Sequence, residues 1–222
     1  MSSLRHRITF GTSRSLAYVS VLELGTLWER TLRRGLVPLK YSQGFNPRPR
    51  MHFAAPLPVG CGSKADLLDL SLNEPRTSDA IIQSLAGVTP PGLTILDVVA
   101  VAPRVPALSE QLVEAEYQVW LREANQERLS TAVIRLLQAS SVLLPKRGRR
   151  HRGKTYDLRP LIKTLGIEPN PKPDWTVLGM QLNARPGATG RPDEVLKALE
   201  LTEIPRRCFR TRLILDHHLG GR

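Results

Sequence analysis

The order in which strand-like and helix-like patterns follow one another constrains the fold of this chain most strongly. Strands show apolar residues at every second position, whereas helices show them three or four positions apart. Six such patterns follow the order β-α-β-β-α-β at residues 5–11, 20–35, 51–60, 65–73, 78–88 and 93–102. The next segment, 103–111, contains prolines and shows neither period, so we interpret it as a linker.

The same order of patterns recurs after this linker. The second set lies at residues 115–123, 126–140, 141–148, 175–185, 191–201 and 207–215. The sequence therefore predicts an α+β fold of two tandem ferredoxin-like (βαββαβ) halves, residues 1–104 and 105–222. One continuous α+β sheet is the alternative. The halves share little residue identity, so the repeat is one of element order only.

The stretch KYSQGFNPRPRMHFAAPLPVG joins the first helix to the next strand. Each proline fixes a backbone dihedral and removes a hydrogen-bond donor, which predicts a stiff, exposed loop over SQGFNPRPR. We expect Gly44 to adopt a positive φ and Phe45 to anchor the loop. Arg48 and Arg50 then project with little entropy left to lose, which suits a phosphate or a carboxylate. A structural loop with solvated arginines is the alternative.

The densest positive run of the chain is PKRGRRHRGKTYDLRP, which starts at Pro145. It has no apolar period, so we expect a flexible hairpin tip or loop. Such a run attracts phosphates without reading bases. Its candidate nucleic-acid-binding residues are Arg147, Arg149, Arg150, Arg152 and Lys154, with Lys146 beside them. A solvated loop is the alternative here, and Tyr156 is placed more simply in a strand than against a base.

Two strand faces carry further arginines. Arg5 and Arg7 share one face of the first strand, and Arg210 and Arg212 share one face of the last. In a ferredoxin-like sheet the helices cover one face, so we expect these arginines to line the other. Asp69 could pair with Arg7. Two roles are open for these strand arginines: internal salt bridges and contact with a ligand.

Charge and composition narrow the classes of partner. The chain has 32 basic and 20 acidic residues, a net charge of +12, and both halves are positive. A surface of this kind favours polyanions, nucleic acid first and an anionic membrane second. No stretch is long and apolar enough to span a membrane, and the N-terminus shows no signal-peptide pattern. We therefore expect a cytoplasmic protein with no membrane partner.

Motifs for catalysis are scarce. Two cysteines are too few for a disulfide framework, a thiolate zinc site or an iron–sulfur cluster. The five histidines are scattered, and no paired-carboxylate, G-x-S-x-G or phosphate-loop motif occurs. We expect no metal and no cofactor. A non-catalytic protein is favoured over an enzyme, for which His52 or His151 would be the acid–base candidates.

One long segment carries a resemblance. WERTLRRGLVPLKYSQGFNPRPRMHFAAPLPVGCGSKADLLDLSL resembles the radical SAM-linked protein family, a bacterial domain of unknown function. GKTYDLRPLIKTL and RPDEVLKALEL are similar to the second half of that family. The family's first helix usually begins Ser-His-Leu-Asp; here residues 20–23 keep the serine and an acid but lose the histidine. Asp66 matches the family's acid before the third strand. Were that histidine catalytic, this chain would be inactive or another residue would carry the role.

The resemblance implies an association with radical SAM enzymes and, less directly, with RNA-related genes. It supplies no established activity. Together with the charge pattern it predicts a non-catalytic accessory module that binds RNA or a ribonucleoprotein and acts with a radical SAM protein. A metal-independent RNA-processing enzyme and a protein-binding adaptor are the alternatives.

Overall fold

The computed structural model describes residues 3–146, 148, 153–170, 172–204 and 206–216. The chain forms two compact units. The first comprises Met1–Leu112 together with Arg210–Arg222, and the second comprises Val113–Phe209. Both contain strands and helices, so the predicted α+β class is confirmed.

The first unit has the predicted element order. Its elements are β1 (Ser3–Thr12), α1 (Val21–Arg34), β2 (Met51–Phe53), β3 (Cys61–Arg76), α2 (Ser78–Leu85), β4 (Leu93–Ala100) and α3 (Leu108–Gln111). The strands follow the spatial order β4-β1-β3-β2, with antiparallel pairing throughout. The central pair, β1 and β3, aligns Ile8 with Leu68 and Phe10 with Asp66.

The core of the first unit lies between the sheet and its helices. Helix α1 buries Leu24, Trp28 and Leu32, which recur at helical spacing. Trp28 packs edge-on against Phe10 of β1, with ring centroids 5.0 Å apart. The helix begins with a capping box formed by Ser20 and Glu23. At Gly35, where α1 ends, a Cβ atom would lie 2.5 Å from the Ser84 carbonyl oxygen, so only glycine fits.

The second unit starts near Leu112. Its elements are β5 (Leu112–Arg122), α4 (Gln126–Gln138), β6 (Leu143–Pro145), β7 (Thr155–Asp157), β8 (Ile162–Glu168), β9 (Trp175–Arg185), β10 (Ala188–Thr189) and α5 (Pro192–Ala198). The last strand, β11 (Arg206–Leu215), passes from the second unit to the first at Arg210. Strand β9 pairs antiparallel with β5, β8 and β10. Leu178, Met180 and Leu182 of β9 are buried at alternate positions, and Val177, on the other face, is buried as well.

Two local predictions differ from the structure. Residues 141–148, predicted as a strand of the second sheet, contribute only the short β6, which pairs with β7 in a separate two-stranded hairpin. The strand that joins β9 is β8 instead. The predicted linker, 103–111, contains α3 and packs within the first unit, where Leu108 is buried. The first unit therefore extends beyond the predicted boundary at Arg104.

One core position of β1 makes the first unit sensitive to acid. His6 is fully buried, and its interaction with the backbone of Arg76 offsets only part of the cost of charging the ring there. Burial lowers the pKa of His6 below its usual value of 6.5, because the charged ring is poorly solvated there. In the unfolded chain the ring takes up a proton near its usual pKa, so below that pH the unfolded state binds more protons than the folded state.

We therefore predict that the free energy of unfolding falls as the pH drops below 6.5 toward the lower folded-state pKa of His6. Above about pH 7.5 this residue adds no pH dependence. Urea denaturation at a series of pH values measures the effect, and His6→Leu should lose part of the acid sensitivity. His52→Leu, at an exposed position, is the control and should keep all of it. Identical pH profiles for wild type and His6→Leu would show that the buried ring is not responsible.

Candidate nucleic-acid interface

Residues 41–49 form an arm that leaves the sheet of the first unit and returns to it. Before the arm, Leu39 pairs with Leu72 of β3; after it, β2 pairs with the same strand. The Arg50 N–H donates to the Lys40 carbonyl at 2.8 Å and closes the base of the arm. The arm is therefore tied at both ends to a central strand, although it protrudes from the sheet.

Hydrogen bonds within the arm fix its shape. The Ser42 N–H donates to the Arg48 carbonyl at 2.8 Å, and the Arg48 N–H donates to Ser42 Oγ at 3.0 Å. Tyr41 and Pro49 form a bridge beside this pair. Gly44 has a φ of 135°, the positive value predicted for it. The arm thus has a defined conformation before any ligand binds.

The prediction that Phe45 anchors the arm is wrong. Its side chain has a relative exposure of 106%, so it contacts almost nothing in the folded chain. The error arose because an apolar residue between polar ones is usually a packing contact, whereas here the hydrogen bonds of Ser42 hold the loop instead. An aromatic ring is consequently presented to solvent at the tip of a fixed arm, available for stacking or for apolar contact.

The predicted arginines of the arm are available for binding. Arg48 and Arg50 are exposed, and their side chains make no hydrogen bond or ion pair within the described residues. Lys40, at the base of the arm, is exposed as well. Helix α1 ends at Arg34, six residues before Lys40, and the sequence contains no acid between Glu29 and Asp66. We call this run of exposed cations, from the end of α1 through the arm, the basic end of the first unit.

The predicted basic loop connects β6 and β7. The Lys146 N–H donates to the Lys154 carbonyl at 2.8 Å, and both side chains are exposed. Tyr156 lies in β7, as predicted, and its hydroxyl donates to the Glu194 carboxylate. The other candidates lie outside the described residues; they are Arg147, Arg149, Arg150 and Arg152. Lys154 is thus the candidate whose exposure the structure gives.

The arginines of β1 serve an internal role. The Asp69 carboxylate accepts hydrogen bonds from Arg5 at 2.8 Å and from Arg7 at 2.7 Å, which confirms the predicted pairing with Arg7. Arg5 also donates to the carbonyls of Val105 and Pro106, in the segment predicted to be a linker. Arg5 thereby holds that segment on the sheet, and of the two roles left open for Arg5 and Arg7 the structure shows internal salt bridges.

Arg210 is also internal. It was expected on the open face beside Arg212, but its exposure is 1% and it forms a bidentate pair with Asp66 at 2.7 and 2.8 Å. The guanidinium further donates to the carbonyls of Ala55 and Pro56. It thereby fixes the proline-containing segment before β3. Arg212, two positions along, is exposed.

Sequence reasoning missed an aromatic and cationic cluster in the second unit. Trp120 and Trp175 meet edge to face, with ring centroids 6.4 Å apart. The Lys172 ammonium lies 5.4 Å from the Trp120 ring, and the Arg207 guanidinium lies 4.6 Å from that of Trp175. One signal was available: Trp120 lies between Val119 and Leu121, which are buried, so alternation directs it away from the core.

Neither a metal-ligand cluster nor a membrane-spanning helix occurs among the described residues. Within the described ranges, no three His, Cys, Asp or Glu side chains gather in a way that could hold a metal ion. None of the helices in those ranges is both long and apolar enough to cross a bilayer.

The fold and the exposed basic arm define an α+β protein with a candidate interface for an anionic partner. The family model of uncharacterized proteins conserved in bacteria, DUF2344, matches residues 5–192, and the chain belongs to that family. No curated protein matches the chain.

A solved structure is similar in fold. The chain matches one chain in the crystal structure of a Cbf5-Nop10-Gar1 complex with a TM-score of 0.52 and 8% sequence identity. The match covers 94% of this chain and 48% of that one, so this chain spans about half the length of the chain it matches. At this identity the similarity shows the fold alone.

The Arg210–Asp66 pair gives a stability prediction. Arg210→Ala should lower the free energy of unfolding by about 3–5 kcal/mol, because it leaves the Asp66 carboxylate buried without its partner. Arg212→Ala, on the same strand, is the matched control and should change it by less than about 0.5 kcal/mol. Urea denaturation followed by circular dichroism measures both. Equal, small effects of the two substitutions would contradict a structural role for Arg210.

Proposed function

We propose that this protein is a non-catalytic accessory module that binds RNA or a ribonucleoprotein and acts with a radical SAM protein. The observation that carries the proposal is the arm, which presents Arg48, Arg50 and Phe45 to solvent in a conformation fixed by Ser42. Guanidinium groups without an internal partner bind phosphates, and an exposed aromatic ring stacks on unpaired bases.

The arginines of the arm differ from the other arginines of the first unit because no carboxylate among the described residues neutralises them. Arg5, Arg7 and Arg210 are neutralised by Asp69 and Asp66, so they add little to the external field. Arg48 and Arg50 have no such carboxylate. A polyanion is therefore attracted to the basic end of the first unit. The basic loop between β6 and β7 would add sequence-independent phosphate contacts, with Lys154 at its described end.

The fold is consistent with this role. The strand order β4-β1-β3-β2 and the antiparallel pairing support a ferredoxin-like first half. Pairing of β9 with both β5 and β8 supports the same arrangement in the second half, with the β6–β7 hairpin as an insertion. We propose tandem ferredoxin-like halves on this basis. The partner is proposed from the sequence resemblance to radical SAM-linked proteins, since fold alone does not assign function.

An RNA-processing enzyme is less well supported by the geometry. His52 is exposed and lies opposite Asp69 in the β2–β3 register, but that carboxylate already binds two arginines. His151, the other acid–base candidate, lies outside the described residues. A protein-binding adaptor would use the same exposed arm, and the binding experiment distinguishes it from an RNA-binding module.

The test measures the affinity of the full chain for single-stranded RNA at several salt concentrations. Arg48→Ala with Arg50→Ala should weaken binding about tenfold and make the slope of log K against log salt shallower by about 1.4, two phosphate contacts being lost. Replacing the candidate residues of the basic loop with alanine should make the slope of log K against log salt shallower still. Those residues are Arg147, Arg149, Arg150, Arg152 and Lys154. Arg14→Ala with Arg104→Ala removes the same charge from exposed positions outside the arm and is the control.

Three results would count against the proposal. Absence of RNA binding, or equal effects of the arm and control variants, would overturn the site. Discrete RNA cleavage by the wild type that is lost in His151→Ala would favour the enzyme. Co-purification of a protein partner that survives nuclease treatment and depends on Phe45 would favour the adaptor.

A further inference from the structure

The second unit contains a cavity of about 380 Å³. One wall is helix α4, and the others are the end of β8, the start of β9 and the turn between them. Its lining residues are Gln126, Ser130, Ile167, Glu168, Pro169, Asn170, Trp175 and Thr176. The volume falls in the range of pockets that hold small ligands, and it accommodates a single nucleoside.

The turn that forms one wall is held in place by its own side chain. The Asn170 amide donates to the carbonyls of Lys172 and Trp175, at 2.9 and 2.6 Å, and its oxygen accepts from the Lys172 N–H at 3.2 Å. These bonds hold Asn170 relative to Lys172 and Trp175, which reduces the ordering that binding requires.

Polar groups on the helical wall are available for a ligand. Gln126 and Ser130 are four positions apart on α4 and thus share one face of the helix. Both are exposed, and neither side chain makes a hydrogen bond or ion pair within the described residues. An amide and a hydroxyl can each donate and accept, which is the capacity needed to recognise the edge of a base.

The aromatic and cationic cluster adjoins this cavity through Trp175, which belongs to both. Arg207 and Lys172 lie over the two indole rings and are exposed. Each cation therefore covers one face of an indole ring, and aromatic rings combined with cations are the groups that bind nucleotides in single strands. Glu168 in the lining carries a negative charge and repels a phosphate, so the base enters the cavity and the phosphate stays toward the cations.

We infer that this cavity binds one nucleotide, with the base between α4 and Trp175 and the phosphate near Lys172 and Arg207. The inference rests on the proposed function, because the nucleotide is taken to belong to a single-stranded RNA. The same chemistry is offered by a free mononucleotide, and the experiment treats the two sources separately.

Tryptophan emission of the full chain provides the readout. Trp28 is fully buried, so a ligand in the cavity acts on the emission of Trp175 and Trp120. AMP, GMP, CMP and UMP are titrated singly, and a single-stranded RNA of about ten nucleotides is titrated in parallel. Quenching should occur with the RNA, or with both ligands if the cavity also accepts free mononucleotides. Gln126→Ala with Ser130→Ala should raise the Kd for quenching about tenfold, since two hydrogen bonds are lost.

Matched controls lie on the same helix. Thr131→Ala and Gln138→Ala alter exposed α4 positions outside the lining and should leave quenching unchanged.

If no ligand quenches the emission, or if the lining and control variants behave alike, the inference is overturned. RNA binding that depends on Arg48 and Arg50 but not on Gln126 would contradict nucleotide binding in the cavity and leave the proposed function standing. Quenching by mononucleotides that depends on Gln126, without any RNA binding, would support nucleotide binding in the cavity and contradict the proposed function.

Discussion

The antiparallel pairing of β1 with β3 is the interaction on which the first unit depends. Because side chains alternate along both strands, one register directs Ile8, Phe10, Leu68 and Leu70 toward the helices and places Arg7 opposite Asp69. A slip of one residue would exchange these faces and place the charges among the apolar side chains of the core. The same strand β3 pairs with the residues on either side of the arm, so the core and the candidate interface share one support.

This arrangement divides the arginines of the first unit into two sets with different roles. Those opposite a buried carboxylate stabilise the fold: Arg5 and Arg7 through Asp69, and Arg210 through Asp66. Those on the arm have no carboxylate and remain available to an anion. The proposed function follows from this division, since a net charge of +12 identifies a class of partner only when it is known which cations are neutralised internally.

Periodicity was sufficient to predict the α+β class and the element order of the first unit, and the prolines predicted an exposed loop at the arm. These properties depend on residues close together in sequence. The burial of Arg210 and the exposure of Phe45 depend on tertiary structure. Arg210 pairs with Asp66 across a long sequence separation, and Phe45 packs against no apolar surface in the described part of the chain. The cavity could not be predicted for the same reason, because its walls come from α4, β8 and β9 and no motif links them.

The central claim is that the fixed arm of the first unit contacts single-stranded RNA directly. Photocrosslinking of the full chain to RNA that contains 4-thiouridine, followed by mass spectrometry of the crosslinked peptides, tests this most directly. The account predicts crosslinks in the peptide that contains Phe45, and their loss when Arg48 and Arg50 are replaced by alanine. Efficient crosslinking confined to other peptides, with the arm unlabelled, would contradict it.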